Sequence, residues 1–352
     1  MPKQKININL QCPMPKLDFD FITLGHGSGG ILTNKLLDSG VFNILSNEIL
    51  DHRHDGATLD LTGRIAFSTD SYLVSPIFFP GGNIGDLAIN GTVNDLAMCG
   101  ASPRYLSLSF ILEEGLRMVE FWDILVSIKG ACERAGVKVV TGDTKVVEKG
   151  KGDKIFINTS GIGIVHPKAK IGAENIAIGD LIIVSGNIAS HGMAIMSLRE
   201  GLKFDSELKS DTTNLNFTIS NLLDKFGDKI HLLTDPTRGG VATVLKETAL
   251  KTNLGIDIFQ KDIPVNEQVS NACELLGLDP LYMANEGLFL GFIDKTVATE
   301  FLAELKSDIN GSNAKIIGTV VKDHPKQVVM KSPIGGTRLV NMLAGDQFPR
   351  IC

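Results

Sequence analysis

Apolar and polar positions in the first half of the chain predict strands and helices that alternate. Short segments rich in β-branched residues are separated by longer segments in which apolar residues recur every three to four positions. These spacings are typical of strands and of amphipathic helices, respectively. The predicted strands span 64–74, 104–114, 137–147 and 154–165, and the predicted helices span 84–100 and 117–136.

The same alternation restarts after residues 166–180. Strands are predicted at 181–186, 255–265, 281–293 and near 314–321 and 326–330, and helices at 192–202, 211–226, 237–252, 266–278 and 296–307. Two halves of similar length and mixed content predict an α/β (α+β) fold with two domains. We expect a leader at 1–20, an N-terminal domain at 21–170, a C-terminal domain at 171–343 and a mobile tail at 344–352.

Composition narrows the class of protein. Among 352 residues, 34 Lys and Arg stand against 40 Asp and Glu, which gives a net charge of −6. This balance does not indicate the positively charged surface that binds nucleic acid or an anionic membrane. The opening residues lack the apolar core of a signal peptide, and no uninterrupted apolar stretch is long enough to span a bilayer.

The cysteines point to a reducing, cytoplasmic location. All five are scattered, and none forms a Cys-x-x-Cys pair; they are Cys12, Cys99, Cys132, Cys273 and Cys352. A disulfide framework and a structural zinc site are therefore not expected. Cys99, Cys132 and Cys273 lie in apolar helical patterns and are predicted to be core residues.

Candidate chemistry is concentrated in short acidic motifs at the ends of the predicted elements. Each motif sets an Asp beside Gly, Ser, Thr or Asn; the residues are Asp55, Asp70, Asn94 with Asp95, Asp143 with Lys145, and Asp235 with Arg238. Any one of them is accounted for as a helix cap or turn former. Five such carboxylates together suit Mg²⁺ held on a nucleotide, with Lys145 near a phosphate.

Three other positions leave alternatives open. The glycine-rich loop with Gly27, Ser28 and Gly29 is able to cradle an anion, but it lacks the Gly-Lys-Ser/Thr ending of a Walker A loop. A capping or core role is favoured over catalysis for His191. Glu286, in a polar break between two apolar runs, is either a turn residue or a site residue that points into a cleft.

Several motifs in fixed order resemble the HypE family of hydrogenase maturation proteins, within the AIR synthase superfamily. They are "HGSGG", the block from "STDS" to "NDLAMCGA", "TGDTK", "DPTRGG", "ANEG" and the final "PRIC". The resemblance runs from about residue 22 to residue 352. It implies a two-domain AIR synthase-like fold whose N-terminal sheets pair in a homodimer, with ATP and Mg²⁺ in the cleft.

The resemblance also implies an activity and its partners. A carbamoyltransferase, HypF, places a carbamoyl group on Cys352, and an ATP-dependent carbamoyl dehydratase reaction converts it to a thiocyanate. The cyano group then passes to a HypC–HypD complex and supplies the cyanide ligand of the iron in a [NiFe] hydrogenase. A cysteine at the end of a mobile tail suits this role, because its sulfur must visit several sites.

The resemblance implies the following roles. The catalytic residues are Cys352, Lys145 and Glu286; the nucleotide is bound by Gly27, Ser28, Gly29, Asn94, Asp95, Thr144, Asp235 and Arg238; and the metal is held by Asp55, Asp70, Asp95, Asp143 and Asp235. Two alternatives stay open. One is another ATP-using enzyme of the superfamily, such as a selenophosphate synthetase, although His26 and Ser28 stand where that enzyme needs a reactive cysteine. The other is a carrier that presents Cys352 without catalysis.

Overall fold

The structure, a computed structural model, describes residues 19–201, 208–343 and 351. The predicted leader falls almost entirely outside these residues, as do Cys12, Cys352 and most of the predicted tail. In the described part of the chain, no helix is both long and apolar enough to cross a membrane.

The first half is built on a four-stranded sheet in the order β1-β6-β4-β5. Its strands are β1 (Ile65–Tyr72), β4 (Ala101–Glu113), β5 (Lys138–Val147) and β6 (Ile155–Val165), and a short hairpin consists of β2 (Phe78–Phe79) and β3 (Gly82–Asn83). The β1–β6 and β6–β4 pairs are antiparallel, and β4–β5 is parallel. These four predicted strands are confirmed.

Helices cover one face of this sheet. They are α3 (Ile84–Met98) and α4 (Met118–Ala135), preceded by α1 (Ile31–Leu36), a π-helical turn (Leu37–Phe42) and α2 (Asn43–Leu45). The Asn83 side chain caps α3 by accepting from the Gly85 N–H at 2.8 Å, and Gly136 ends α4 with φ +69°. Because α3 packs against β1, β4 and β6 and is buried on almost every side, it fixes Asp95 at the sheet.

The register of the sheet separates two groups of predicted site residues. Asp70 of β1 aligns through β6 and β4 with Gly142 of β5, so both lie on the face that carries α3. Asp143 and Lys145 occupy alternate positions, and their side chains project from the opposite face. Three strand spacings, about 14 Å, separate the two edges.

The second half contains a seven-stranded sheet in the order β13-β12-β9-β11-β7-β10-β8. Its strands are β7 (Leu181–Val184), β8 (Ile230–Thr234), β9 (Gly255–Phe259), β10 (Leu290–Ile293), β11 (Lys315–Val321), β12 (Val328–Lys331) and β13 (Thr337–Val340). Its helices are α5 (Ser190–Arg199), α6 (Asn216–Phe226), α7 (Gly240–Thr252), α8 (Glu267–Leu276) and α9 (Ala298–Ser307). The domain boundary near residue 170 stays a prediction.

Some sequence predictions were wrong in extent. The strand predicted at 281–293 exists only from residue 290, the helix predicted at 211–226 begins at residue 216, and β13 was not predicted. Cys132 and Cys273 are buried as predicted, but Cys99 is exposed because it follows the last turn of α3. The apolar residues at 281–289 are buried but do not form a strand. Side chains, rather than a neighbouring strand, make hydrogen bonds to part of this backbone.

Candidate active site

A cavity of about 210 Å³ lies between the glycine-rich loop and β5. Gly27 is needed for this close approach, because a Cβ built there would lie 2.7 Å from the backbone nitrogen of Val146. Gly29 has φ +78°, a conformation that favours glycine. The loop is held by the Ser28 hydroxyl, which donates to the Gly25 carbonyl at 2.9 Å. The predicted loop and the "TGDTK" motif therefore form one cavity.

The polar end of this cavity is formed by Asp143, Thr144 and Lys145. The Lys145 ammonium lies 2.5 Å from both carboxylate oxygens of Asp143, and the Thr144 N–H donates to the same carboxylate at 2.8 Å. The hydrogen bond from Lys145 is the main cause that lowers the pKa of Asp143. Both charged side chains are exposed, so an anion in the cavity has access to the lysine.

The opposite end of the cavity is apolar, lined by Leu37, Val41, Phe42, Leu50, Leu108, Phe110 and Val139. One polar and one apolar end match the two parts of a nucleotide, with phosphates toward Lys145 and the base against the aliphatic and aromatic side chains.

A second group of carboxylates lies on the α3 face, where the two halves of the chain meet. The Ser68 hydroxyl on β1 donates to Asp95 at 2.7 Å. Burial, and then the charge of Asp70, raises the pKa of Asp95. For Asp235, which follows β8, burial and the charges of Asp95 and Asp70 raise the pKa to about 7. Asp70 and Asp95 are therefore within electrostatic range of Asp235.

Glu286 belongs to the same group and is only 4% exposed. Its Oε1 has no hydrogen-bond partner within the described part of the chain. Burial, followed by the charges of Asp211, Asp235, Asp70 and Asp95, raises its pKa well above the ordinary value. A buried carboxyl oxygen without a partner has the capacity to bind a substrate proton.

Asp211 is a member of this group that sequence reasoning missed. Its carboxylate accepts from the backbone N–H groups of Glu286 and Gly287, each at 3.2 Å, and burial raises its pKa to about 6. The residue was assigned to a predicted helix, whereas it belongs to no helix or strand and precedes α6. The polar run "SDTTN" ahead of the apolar helical pattern was the available signal.

The Asn94 side chain makes its hydrogen bonds to backbone groups, and its role in binding the nucleotide stays a prediction. Its amide donates to the carbonyls of Thr213 at 2.9 Å and Glu286 at 3.3 Å, and its oxygen accepts from the Leu215 N–H at 2.8 Å. All these partners are backbone groups. The side chain therefore ties α3 to the Glu286 segment.

The structure does not bring every predicted residue into these two groups. Asp55 is exposed on the loop after the turn Leu50–His52, and Arg238 is exposed in the turn before α7. Among residues 19–201, 208–343 and 351, no three acidic, His or Cys side chains are arranged to hold a metal ion by themselves.

His191 is buried next to the Glu286 segment. Its Nδ1 lies 2.8 Å from the Ser210 hydroxyl, and its Nε2 lies 2.8 Å from the carbonyl oxygen of Ile351. Burial lowers its pKa to about 4. Ile351 is itself buried, so the prediction of a mobile tail does not describe this residue. Cys352 lies outside the described residues.

The chain matches two family models and is similar to several known proteins. Residues 53–165 match the N-terminal domain of AIR synthase related proteins, and residues 177–331 match the C-terminal domain. The chain is 46% identical over 332 residues to the carbamoyl dehydratase HypE of Azotobacter vinelandii, which covers 94% of this chain and 97% of that protein.

Solved structures agree with these matches. A hydrogenase maturation protein HypE in complex with ATP superposes with a TM-score of 0.90 at 45% identity, covering 94% of this chain and 99% of that one. HypE in a complex with HypF superposes with a TM-score of 0.77 at 43% identity, covering 89% and 100% of the two chains.

Proposed function

Since this chain belongs to the HypE family of carbamoyl dehydratases, within the AIR synthase superfamily, we propose that it dehydrates an S-carbamoyl group on Cys352 at the expense of ATP. The product is a thiocyanate that supplies the cyanide ligand for the iron of a [NiFe] hydrogenase. The observation that carries the proposal is the buried Oε1 of Glu286, which has no partner among the described residues. The segment that bears Glu286 also contacts α5, whose His191 binds the Ile351 carbonyl.

The first step requires a better leaving group than hydroxide. The carbamoyl oxygen of the cysteinyl thiocarbamate attacks the γ-phosphorus of ATP, ADP leaves, and the oxygen becomes a phosphate ester. Lys145 at the polar end of the cavity stabilises the charge on the transferred group. The glycine-rich loop and the apolar wall orient the nucleotide.

The second step removes the nitrogen protons. One N–H proton is lost when the oxygen is phosphorylated, because the nitrogen lone pair then forms the C=N bond. When the second proton is removed, the electrons of its N–H bond form the third C–N bond, the C–O bond breaks and phosphate leaves with its electron pair. Glu286 accepts one of these protons, because its raised pKa makes the ionised carboxylate a stronger base than an ordinary glutamate. Asp211 holds the backbone of Glu286 in place.

Mg²⁺ is part of the proposal, with Asp70, Asp95 and Asp235 as its ligands. Burial and the negative charges of neighbouring aspartates raise the pKa of Asp95 and Asp235. A bound cation would reduce the repulsion between these carboxylates. The carboxylates do not form a complete site alone, which fits an ion whose coordination is completed by phosphate oxygens and water. When bound, Mg²⁺ neutralises phosphate charge. Asp55 and Asp143 are less well placed for this role.

We further propose a homodimer that pairs the exposed faces of two four-stranded sheets. Phe67 is 66% exposed, Ile65 49% and Ile111 44% on this face, an amount of exposed apolar surface that a partner would cover. In one chain, Lys145 and Glu286 lie on opposite sides of the sheet. We propose that the lysine of one subunit reaches the carboxylates of the other around the edge strand β1, which carries Asp70.

The proposed partners are HypF, which loads Cys352, and a HypC–HypD complex, which accepts the cyano group. A complex of a HypE with HypF is known, and this supports the first interaction. The cysteine usage supports a cytoplasmic location.

Intact mass spectrometry tests the function. After incubation with the carbamoyltransferase, its substrates, ATP and Mg²⁺, the chain is expected to gain a carbamoyl group and then lose the mass of one water. Cys352→Ala is expected to gain nothing while still binding ATP. A carbamoyl adduct that persists with ATP present would identify a carrier and rule out the dehydratase.

A further inference from the structure

Residues 210–215, named here the junction segment, contact both halves of the chain. They belong to no helix or strand and lead directly into α6. The Ser210 N–H donates to the carbonyl of Pro80, in the β2–β3 hairpin, at 2.8 Å. The side-chain amide of Asn90, on α3, donates to the Thr212 hydroxyl at 3.2 Å. The junction segment is therefore attached to two elements of the first half.

The next turn of α3 binds the other end of the junction segment. The Asn94 amide donates to the Thr213 carbonyl at 2.9 Å, and the Asn94 oxygen accepts from the Leu215 N–H at 2.8 Å. The same amide donates to the Glu286 carbonyl at 3.3 Å. One side of the junction segment is thus bound to α3, the helix that also carries Asp95.

The junction segment binds Glu286 through Asp211. The two carboxylate oxygens of Asp211 accept from the Glu286 N–H at 3.2 and 3.3 Å, and one of them also accepts from the Gly287 N–H at 3.2 Å. The two backbones are in contact as well, because a Cβ built on Gly287 would overlap the Asp211 carbonyl oxygen. Glu286 is therefore attached at its N–H to the junction segment and at its carbonyl to α3.

Asp211 also places a negative charge near the Glu286 side chain. Burial, and then the charge of Asp211, raises the pKa of Glu286, and the charges of Asp235, Asp70 and Asp95 have smaller effects in the same direction. This order agrees with the direct contact between Asp211 and the Glu286 backbone. Of the neighbouring carboxylates, Asp211 is thus the one bound to the residue that carries the proposed base.

We propose that Asp211 is a positioning residue which, through the junction segment, fixes the Glu286 side chain relative to α3. The inference rests on the proposed function in one respect, that Glu286 accepts a substrate proton. The attachment itself requires neither ATP nor a substrate, because its contacts are made within the chain. A catalytic group misplaced by about 1 Å slows a reaction by about 10²-fold. A loosened Glu286 is therefore expected to slow dehydration and to spare the steps that do not use it.

The first experiment measures the attachment without catalysis. Hydrogen–deuterium exchange of the purified chain, in the absence of ATP, is followed by mass spectrometry of peptides that cover residues 284–289. Asp211→Ala removes the acceptor of two N–H groups and is expected to accelerate exchange in these peptides about 10-fold. Asp211→Asn retains one acceptor oxygen and is expected to have a smaller effect. Asp308→Asn is the matched control, because Asp308 is also half-buried and accepts from a backbone N–H, that of Asn310 at 2.9 Å.

The second experiment separates positioning from binding and folding. The chain is loaded with the carbamoyl group, ATP and Mg²⁺ are added, and the loss of one water is followed by intact mass. In Asp211→Ala we expect normal loading, an unchanged KM for ATP and a kcat for dehydration lowered about 10²-fold, with Asp211→Asn intermediate at about 10-fold. Asp308→Asn is expected to dehydrate its adduct at the wild-type rate. A general loss of fold would instead impair loading and ATP binding as well.

A double variant tests the link to α3. Asn90→Ala removes the contact with Thr212 and is expected to slow dehydration about 3-fold. Because Asn90 and Asp211 act through the same segment, Asn90→Ala is expected to have a smaller effect in Asp211→Asn than in the wild type. Two effects that simply multiply would contradict this link.

Three further outcomes oppose the proposal: unchanged exchange at 284–289 in Asp211→Ala, equal acceleration in Asp308→Asn, or faster exchange with normal dehydration. If Asp211→Ala does not fold, Asp211→Asn decides by the same two readouts. Faster exchange in the variants of a chain whose wild type never dehydrates its adduct would uphold the attachment and reject the proposed function.

Discussion

Glu286 combines full burial with an oxygen that no described group contacts. A buried polar atom without a partner destabilises the fold unless a ligand satisfies it. Its position beside three aspartates supports the proposal that Glu286 contacts a substrate.

Glu286→Gln keeps the shape of this side chain and removes its ability to accept a proton. We expect carbamoylation of Cys352 at the normal rate and dehydration reduced about 10²- to 10³-fold, measured as loss of one water from the intact chain. Glu274→Gln, an exposed change on α8, is the control. Normal dehydration in Glu286→Gln would remove this residue from the mechanism.

His191 makes stability depend on pH. Its pKa in the folded chain, about 4, is below the unfolded value of about 6.5. The unfolded chain thus binds more protons between these values, and stability falls as pH decreases through this window. In His191→Gln the free energy of unfolding should change less between pH 7 and pH 5, by up to about 2 kcal/mol. Equal pH dependence in urea titrations of both proteins would show that His191 is not buried in its neutral form.

At the scale of elements, the glycine-rich loop and β5 act together. Gly27→Ala places a Cβ against the backbone of β5, which must move the loop. We expect calorimetry to show ATP affinity reduced by about 10-fold or more, with a loss of stability of about 1–3 kcal/mol. Gly30→Ala in the same loop is the control, since the nearest atom to its Cβ is the Ser28 hydroxyl oxygen at 3.6 Å. Equal affinities would show that the loop does not bind the nucleotide.

Most elements could be predicted because their apolar spacing reports burial on one face. Residues 281–289 were mistaken for a strand because their burial comes from packing, and their backbone partners, such as Asp211 and Asn94, are distant in sequence. β13 was missed because only Val340 of its four residues is buried. The motifs predicted the candidate site residues, but only the sheet register showed that Asp143 and Asp70 lie on opposite faces.

At the scale of the whole molecule, the proposed site is divided between two regions of one chain. The cavity with Lys145 and the carboxylate group with Glu286 lie at different edges of the sheet. A dimer formed through the exposed face offers a way for both groups to act on one substrate.

Mixed dimers test this arrangement. Lys145→Ala and Glu286→Ala are each expected to be inactive, but mixing them under exchange conditions forms heterodimers with one intact site. If subunits share sites, equal mixing should restore about a quarter of the wild-type dehydration rate, because half of the dimers are mixed and each has one working site. Each variant taken alone through the same exchange procedure is the null control. No recovery in a verified heterodimer would place both residues in the same subunit's site.

The contact between His191 and Ile351 holds a residue near the end of the chain. The contact to Ile351 is intramolecular, so a partner that binds this residue competes with a high local concentration. A tighter contact would slow the release of Ile351 to the proposed partners. One neutral hydrogen bond and one aliphatic side chain form a weak hold, which favours turnover over capture.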